Sequence, residues 1–398
     1  MASEKPPLHI QKVSGVWTGT RVLAEADVVI ADGRVVHVGA PPREKLDGAE
    51  LIDGRGLIAT PGLVDCHTHA LWAGTRLGDF VRRLGGESYT TLLEGGGGIH
   101  VTVAATRAAS DTTLRALLRA RLDTMLDLGV TTVEVKSGYG LTFADELRCL
   151  RIVHEASGAP RVSPTFLGAH AVPRDHDRAA WVDQLCGPLL DAAAPWCDAV
   201  DVYCDRGAYT LAEAERVLRA AAARGLRVKA HAEQVEHTGV AALAAALGAL
   251  SCDHLERVDD AGIAAMAAAG TVAVLLPGAM LYLRDPAPPV AKLRAAGVPF
   301  AVATDLNPGS SPVRDLWAAA TLACLTMGLT AEEALAGITA HAARAIGRPE
   351  LGRLEPGAPA DLALFRPPPG EPCDPRVLVQ YLGGHRAERV YLDGVRVR

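Results

Sequence analysis

The sequence predicts an α/β fold: an eight-stranded parallel barrel wrapped by helices and flanked by a small β domain built from both chain ends. Three observations carry that expectation. From about residue 60 onward a short apolar strand, often β-branched, alternates with a longer Ala/Leu/Arg-rich helical segment. This alternation occurs eight times, the count of a closed (β/α)8, TIM-type barrel. Both ends of the chain carry hairpin signals instead, the mark of a small β-sandwich. Element counting by itself leaves an open, doubly wound sheet as the competing arrangement.

Taken in order, residues 27–39 read as two strands around Asp32-Gly33, a two-residue hairpin turn. The barrel strands are expected at 63–69, 131–136, 161–167, 199–204, 227–231, 249–254, 271–276 and 299–304. Gly129, Gly158, Gly225, Gly248, Gly270 and Gly297 precede six of them, where a helix would end on a left-handed residue. Leu114, Leu117, Leu118, Leu122, Met125 and Leu126 fall on one face of the first barrel helix. The uncharged stretch 262–280 is broken by Gly270, Thr271 and Pro277, so it reads as an Ala-rich helix and a strand rather than a membrane span. The connection from Ala70 to about Ser110 is unusually long and contains Gly95-Gly96-Gly97-Gly98. No Gly-Lys-Ser/Thr follows those glycines, which favours a lid over a phosphate cradle. Residues 353–365 and 389–397, the latter around Asp393-Gly394, resume the β style across a Pro-rich linker. The expected division is 1–60 and 347–398 for the small β domain and 61–346 for the barrel.

The composition narrows the function classes. With 40 Lys+Arg against 46 Asp+Glu among 398 residues, the net charge of −6 argues against a nucleic-acid partner. The 8 cysteines form no Cys-x-x-Cys pair and are too sparse for a disulfide scaffold. The opening residues lack the apolar core of an export signal, so a cytoplasmic, reduced protein that engages no membrane is expected. A barrel of this size is most often a homodimer.

The chemistry is expected at the C-terminal ends of the barrel strands. The first strand runs into Asp65-Cys66-His67-Thr68-His69, whose alternation puts His67 and His69 on one face. The third strand leads to His170, the fifth to His231, the sixth to His254 and the eighth to Asp305. Any one of these has a bland reading as a hydrogen-bonded strand end. Their recurrence at the same end of successive strands points to a metal. Three imidazoles (His67, His69, His231) and the Asp305 carboxylate suit Zn2+ or Fe2+/Fe3+. The fourth strand holds no lysine that could be carbamylated into a bridging ligand, so one ion per subunit is expected, with Lys136 and Lys229 structural. Asp305 is placed to accept a proton from water and return it to a leaving nitrogen, with His254 orienting the water or polarising a carbonyl. The reaction class is metal-assisted hydrolysis of a C–N bond.

The run from Thr60 to His69, together with Asp305 and the segment Gly357-Ala358-Pro359-Ala360-Asp361-Leu362, resembles the amidohydrolase superfamily. The segments from Val133 to Gly140, from Gly168 to Pro173 and from Thr304 to Pro312 are similar to its imidazolonepropionase family, and the resemblance covers essentially the whole chain. It implies opening of 4-imidazolone-5-propanoate to N-formimidoyl-L-glutamate in histidine degradation. It implies zinc or iron on His67, His69, His231 and Asp305, and substrate contacts from Arg76, Tyr139, His170, Gln234, Asn307, Gly309 and Ser310. Arg76 suits the carboxylate tail of such a substrate, which it can grip with two parallel hydrogen bonds. The chain departs from the family pattern at Gln234, where a carboxylate is expected; Gln234 is counted with Asp305 and His254 among the catalytic residues, its amide able to donate to and accept from the ring, while a general-acid role there is left open. Tyr89 is a further pocket candidate.

Two other readings stand beside this one. A deaminase of the same superfamily would use a glutamate beside the strand-five histidine, and alternation would put Glu233 on the same side as His231. A non-catalytic scaffold would have lost ligand residues, whereas all four are present.

Overall fold

The computed structural model describes residues 6–43, 47–87 and 97–398. The strands are β1 (Leu8–Val13), β2 (Gly15–Trp17), β3 (Val22–Leu23), β4 (Ala26–Ala31), β5 (Arg34–Gly39), β6 (Glu50–Asp53) and β7 (Ile58–Pro61), followed by the barrel strands. The barrel comprises β8 (Leu63–Asp65), β9 (Val130–Lys136), β10 (Arg161–Ala169), β11 (Ala199–Cys204), β12 (Arg227–Ala232), β13 (Ser251–His254), β14 (Val272–Leu275) and β15 (Phe300–Val302). These eight pair in sequence order, every neighbouring pair parallel. The sheet is a barrel rather than the open alternative, because its two edge strands meet. Asp305 N–H donates to the His67 carbonyl at 3.0 Å and His69 N–H to the Leu306 carbonyl at 3.0 Å. Behind them the Asp65 carboxylate accepts from the Thr304 N–H at 3.2 Å and the Thr304 hydroxyl at 2.6 Å. The seam of the barrel is therefore made in part by the backbones of its expected metal ligands, His67, His69 and Asp305.

All eight expected strands are present, and the first and last are shorter than their apolar runs suggested. Asp305 takes a left-handed backbone with φ of +50°, and Thr68 pairs with Leu306 only through an isolated bridge. All six glycines have positive φ, between Gly270 at +70° and Gly129 at +91°; five of them end helices, while Gly158 lies in the turn after the helix Phe143–His154, which is capped at Glu155. Ser110 caps the helix Asp111–Asp127 by accepting from the Thr113 N–H, and Leu114, Leu118, Leu122, Met125 and Leu126 bury their side chains against the barrel.

The small domain draws on both ends of the chain. One sheet runs β5-β4-β1-β6; the other runs β18-β17-β16-β7-β2-β3, with β16 at Leu362–Phe365, β17 at Arg389–Leu392 and β18 at Val395–Arg396. Between the sheets Leu8, Ile10, Val28 and Ile30 pack against Leu362, Leu364 and Tyr391. Both Asp-Gly hairpins form, with φ of +51° at Asp32 and +48° at Asp393, the left-handed pair that such a turn requires.

Two expectations are corrected. Residues 353–365 carry a single strand, β16, because Pro356, Gly357 and Pro359 interrupt the stretch before it, which lies as turns along β5. The connection from Ala70 to Ser110 is not one long loop, since it contains the helices Leu77–Leu84 and Ile99–Ala108. Tyr89, Gly95 and Gly96, on which the lid and pocket expectations also rested, lie outside the described residues. No described helix is long and apolar enough to cross a membrane.

Candidate active site and metal centre

His67 and His69 leave β8 at the mouth of the barrel and face His231 at the end of β12 and Asp305 past β15. His67 Nε2 stands 3.4 Å from Asp305 Oδ1, and His69 Nε2 stands 3.5 Å from the same oxygen. His231 Nε2 lies 3.4 Å from His69 Nε2. Ligands about 2.1 Å from a tetrahedral ion are separated by roughly 3.4 Å, so these spacings suit the edges of a coordination sphere. His67 Nε2 is buried and has no hydrogen-bond partner among the described residues, an orphaned polar atom that a cation would satisfy. His67, His231 and His254 form a second close group, so His254 borders the same space. The four donors fit a divalent metal.

The electrostatics agree. Burial, helped by the Lys136 ammonium, holds His67 well below the usual histidine range, and burial does the same to His69 and His254. Neutral imidazoles are what a metal needs. Burial pushes the Asp305 carboxyl well above its ordinary range, so without a cation beside it the charged form is disfavoured.

Two of the candidate ligand imidazoles, His67 and His231, are met from below by carboxylates. Asp253 Oδ2 lies 2.6 Å from His67 Nδ1, which fixes that nitrogen as the donor and turns Nε2 towards the centre. Asp201 Oδ2 lies 3.0 Å from His231 Nδ1, while Asp201 Oδ1 accepts the His231 backbone N–H at 3.2 Å. Three strand ends at the mouth, Glu233, His254 and Asp305, have φ of +59°, +79° and +50°. Such non-glycine conformations cost roughly 1–3 kcal/mol each and cluster where chemistry constrains the backbone.

The expected substrate residues surround this centre. The His170 ring stacks on His69 with centroids 4.8 Å apart, and its Nδ1 lies 3.0 Å from the Gly138 carbonyl. Burial, then the neighbouring His231, brings the His170 pKa down to about 3, so it is a neutral ring. The Tyr139 ring lies 6.0 Å from His69 and 5.4 Å from His170. Gln234 is buried, and its Oε1 accepts from the Tyr203 hydroxyl at 3.1 Å. Asn307 Oδ1 accepts the backbone N–H groups of Gly309 at 2.8 Å and Ser310 at 2.7 Å, which shapes a tight turn after Asp305. Arg76 comes to this turn: a Cβ on Gly309 would sit 3.0 Å from an Arg76 guanidinium nitrogen. Arg76 Nε is held by Asp79 at 2.6 Å and its side chain is 8% exposed.

Glu233 does not face the centre, contrary to strand alternation. Its left-handed backbone ends the alternation, and its Oε1 accepts from the backbone N–H groups of Gly239 at 3.0 Å and Ala241 at 3.3 Å. It serves the start of the helix Val240–Ala246. Sequence reasoning missed Asp201, Asp253, Glu134 and Tyr203. The signal was available for the first three, as carboxylates inside otherwise apolar strands; Tyr203 carried none.

Comparison with known proteins is consistent with this arrangement. A model of the amidohydrolase family matches residues 72–398. An imidazolonepropionase of Ectopseudomonas mendocina is 50% identical over 362 residues, covering 88% of this chain and 89% of its own length. One from Cupriavidus pinatubonensis is 47% identical over 385 residues, covering 92% and 90%. Among solved structures, a triazine hydrolase variant superposes with a TM-score of 0.73 at 21% identity, over 99% of this chain and 95% of its own. A zinc-bound adenosine deaminase from Xanthomonas campestris gives 0.73 at 18% identity, over 99% and 93%. These structural likenesses concern the fold alone.

Proposed function

This chain belongs to the amidohydrolase family, with imidazolonepropionases among its relatives, and from that premise we propose that it hydrolyses 4-imidazolone-5-propanoate to N-formimidoyl-L-glutamate in histidine degradation. The observation that carries the reading is the set of donor atoms 3.4 and 3.5 Å apart with the Arg76–Gly309 contact beside it. One zinc or iron ion per chain would be held by His67, His69, His231 and Asp305. When bound, it supplies Lewis acidity, lowering the pKa of a water towards about 7 and polarising a carbonyl.

The chain's own residues do the rest. Arg76 takes the propanoate carboxylate, and the turn Asn307–Ser310 presents polar groups to the same end of the substrate. His170 and Tyr139 bound the ring on the side of His69. Asp305 takes the proton of the attacking water and delivers it to the ring nitrogen as the C–N bond breaks. The water oxygen becomes part of the new carboxylate, and the nitrogen leaves as part of the formimidoyl group. His254 orients the water or the carbonyl, and Gln234 holds the ring by its amide without exchanging a proton. The engagement of Glu233 with a helix start removes the proton shuttle that a deaminase reading needs. The reading also includes a cytoplasmic homodimer.

Purified protein supplied with freshly generated 4-imidazolone-5-propanoate tests this, following loss of the ring absorbance with metal assayed on the same sample. Turnover with about one metal per chain is expected. Metal without turnover would remove the substrate, and neither metal nor turnover after zinc or iron loading would remove the hydrolase.

A further inference from the structure

Beneath the imidazoles lies a closed ion network that the hydrolytic chemistry does not use. Lys136 Nζ is 2.7 Å from Asp201 Oδ2 and 2.9 Å from Glu134 Oε2, with Asp253 Oδ2 at 3.7 Å. Lys229 Nζ is 2.8 Å from Glu134 Oε1 and 3.0 Å from the Cys66 carbonyl, with Asp253 Oδ2 at 3.8 Å. Ser251 donates to Asp253 Oδ1 at 2.5 Å, and Thr165 donates to Glu134 Oε1 at 2.5 Å. The five charged side chains are at most 1% exposed. They come from β9, β11, β12 and β13, so the network ties four strands of the barrel together. Three carboxylates against two ammoniums leave one negative charge under the cation site.

We propose that Lys136 is a positioning residue for the metal centre. It pins the Asp201 carboxylate that faces His231, and with Lys229 it flanks the Asp253 oxygen that holds His67. One lysine thereby sets the orientation of two ligand imidazoles on strands that do not pair with each other. The inference rests on the metal-hydrolase reading above. Partners that orient metal-bound histidines are typically worth 10–100-fold in metal affinity, and a lysine that sets two such partners belongs in that range.

The test separates positioning from simple charge balance. Zinc affinity is measured by chelator competition on the wild type, on Lys136→Met, and on Lys136→Met combined with Glu134→Gln, which restores the network's net charge. Thermal melting and the absorption spectrum of the cobalt-loaded forms are recorded alongside. The expected result is affinity lowered about 10–100-fold in both variants and altered cobalt bands, with the double variant melting close to the wild type. Should the single variant not fold, the double variant decides. Affinity within about twofold of wild type and an unchanged cobalt spectrum in the double variant would overturn the inference, leaving Lys136 only a charge-balancing role. A wild type that binds no zinc would instead overturn the functional reading on which it rests.

Discussion

Replacing Arg76 by alanine tests how the site recognises its substrate. The guanidinium lies against Gly309, in the turn that follows Asp305, nearly buried, with Nε already committed to Asp79 at 2.6 Å. Two charge-assisted hydrogen bonds to a carboxylate are worth about 1.5–3 kcal/mol each. The Asp79 charge beside the guanidinium offsets part of that attraction, so a net loss of about 2–3 kcal/mol is expected, or roughly 30- to 150-fold at 1.4 kcal/mol per decade. The carboxylate is remote from the bond that breaks, so its grip is the same in ground and transition states. The loss should therefore fall on KM, with kcat changed only a few-fold. Arg76→Lys should recover part of it, since a point charge replaces the fork. Steady-state kinetics on 4-imidazolone-5-propanoate, with metal content checked on each variant, reads both quantities. An unchanged KM in Arg76→Ala, or an equal fall in kcat with KM constant, would refute the assignment.

Further outcomes follow from the same geometry. Asp305→Asn should retain the fold and lose turnover by at least about 10²-fold, because the proton acceptor beside the ligand histidines is gone; near-normal kcat would take Asp305 out of the proton path. Gly138→Ala adds a Cβ 2.8 Å from His170 Nδ1 at a φ of +111°. It should displace the His170 ring and raise KM at unchanged metal content, at a stability cost of about 1–3 kcal/mol read by urea unfolding. Glu233→Gln should keep kcat within a few-fold, since its carboxylate accepts from a helix start rather than from substrate; a loss above about 10²-fold would return it to the chemistry. Stripping the metal should lower the melting temperature in a concentration-dependent way, because a ligand at 1,000 times its Kd stabilises by about 4 kcal/mol.

Much of the fold was legible because the barrel repeats one physical solution. The barrel strands are largely buried on both faces, and several helices end on a glycine such as Gly225 or Gly248 that can turn left-handed. The Asp32-Gly33 and Asp393-Gly394 hairpins were legible for the same reason, since their turns demand those residues. What escaped was set by the third dimension. His67, His69, His231 and Asp305 could be placed at strand ends, but strand alternation failed at Glu233, whose left-handed backbone a sequence pattern cannot encode. Asp201 and Asp253 stood in plain view as charges inside apolar strands. Which imidazole each would hold depended on how strands far apart in sequence face one another across the barrel. The helices at Leu77–Leu84 and Ile99–Ala108 were hidden by the glycines between them, which made a helical insertion look like a loop.

The central claim is that water is added across a ring C–N bond of 4-imidazolone-5-propanoate at the His67–His69–His231–Asp305 centre. Its most direct test is turnover in heavy-oxygen water by metal-loaded protein, with the product weighed by mass spectrometry. The account predicts N-formimidoyl-L-glutamate carrying one heavy oxygen in the newly formed carboxylate, and no product from the Asp305→Asn variant. A product that retains the ring, or ring opening that proceeds equally well after the metal is removed, would contradict it.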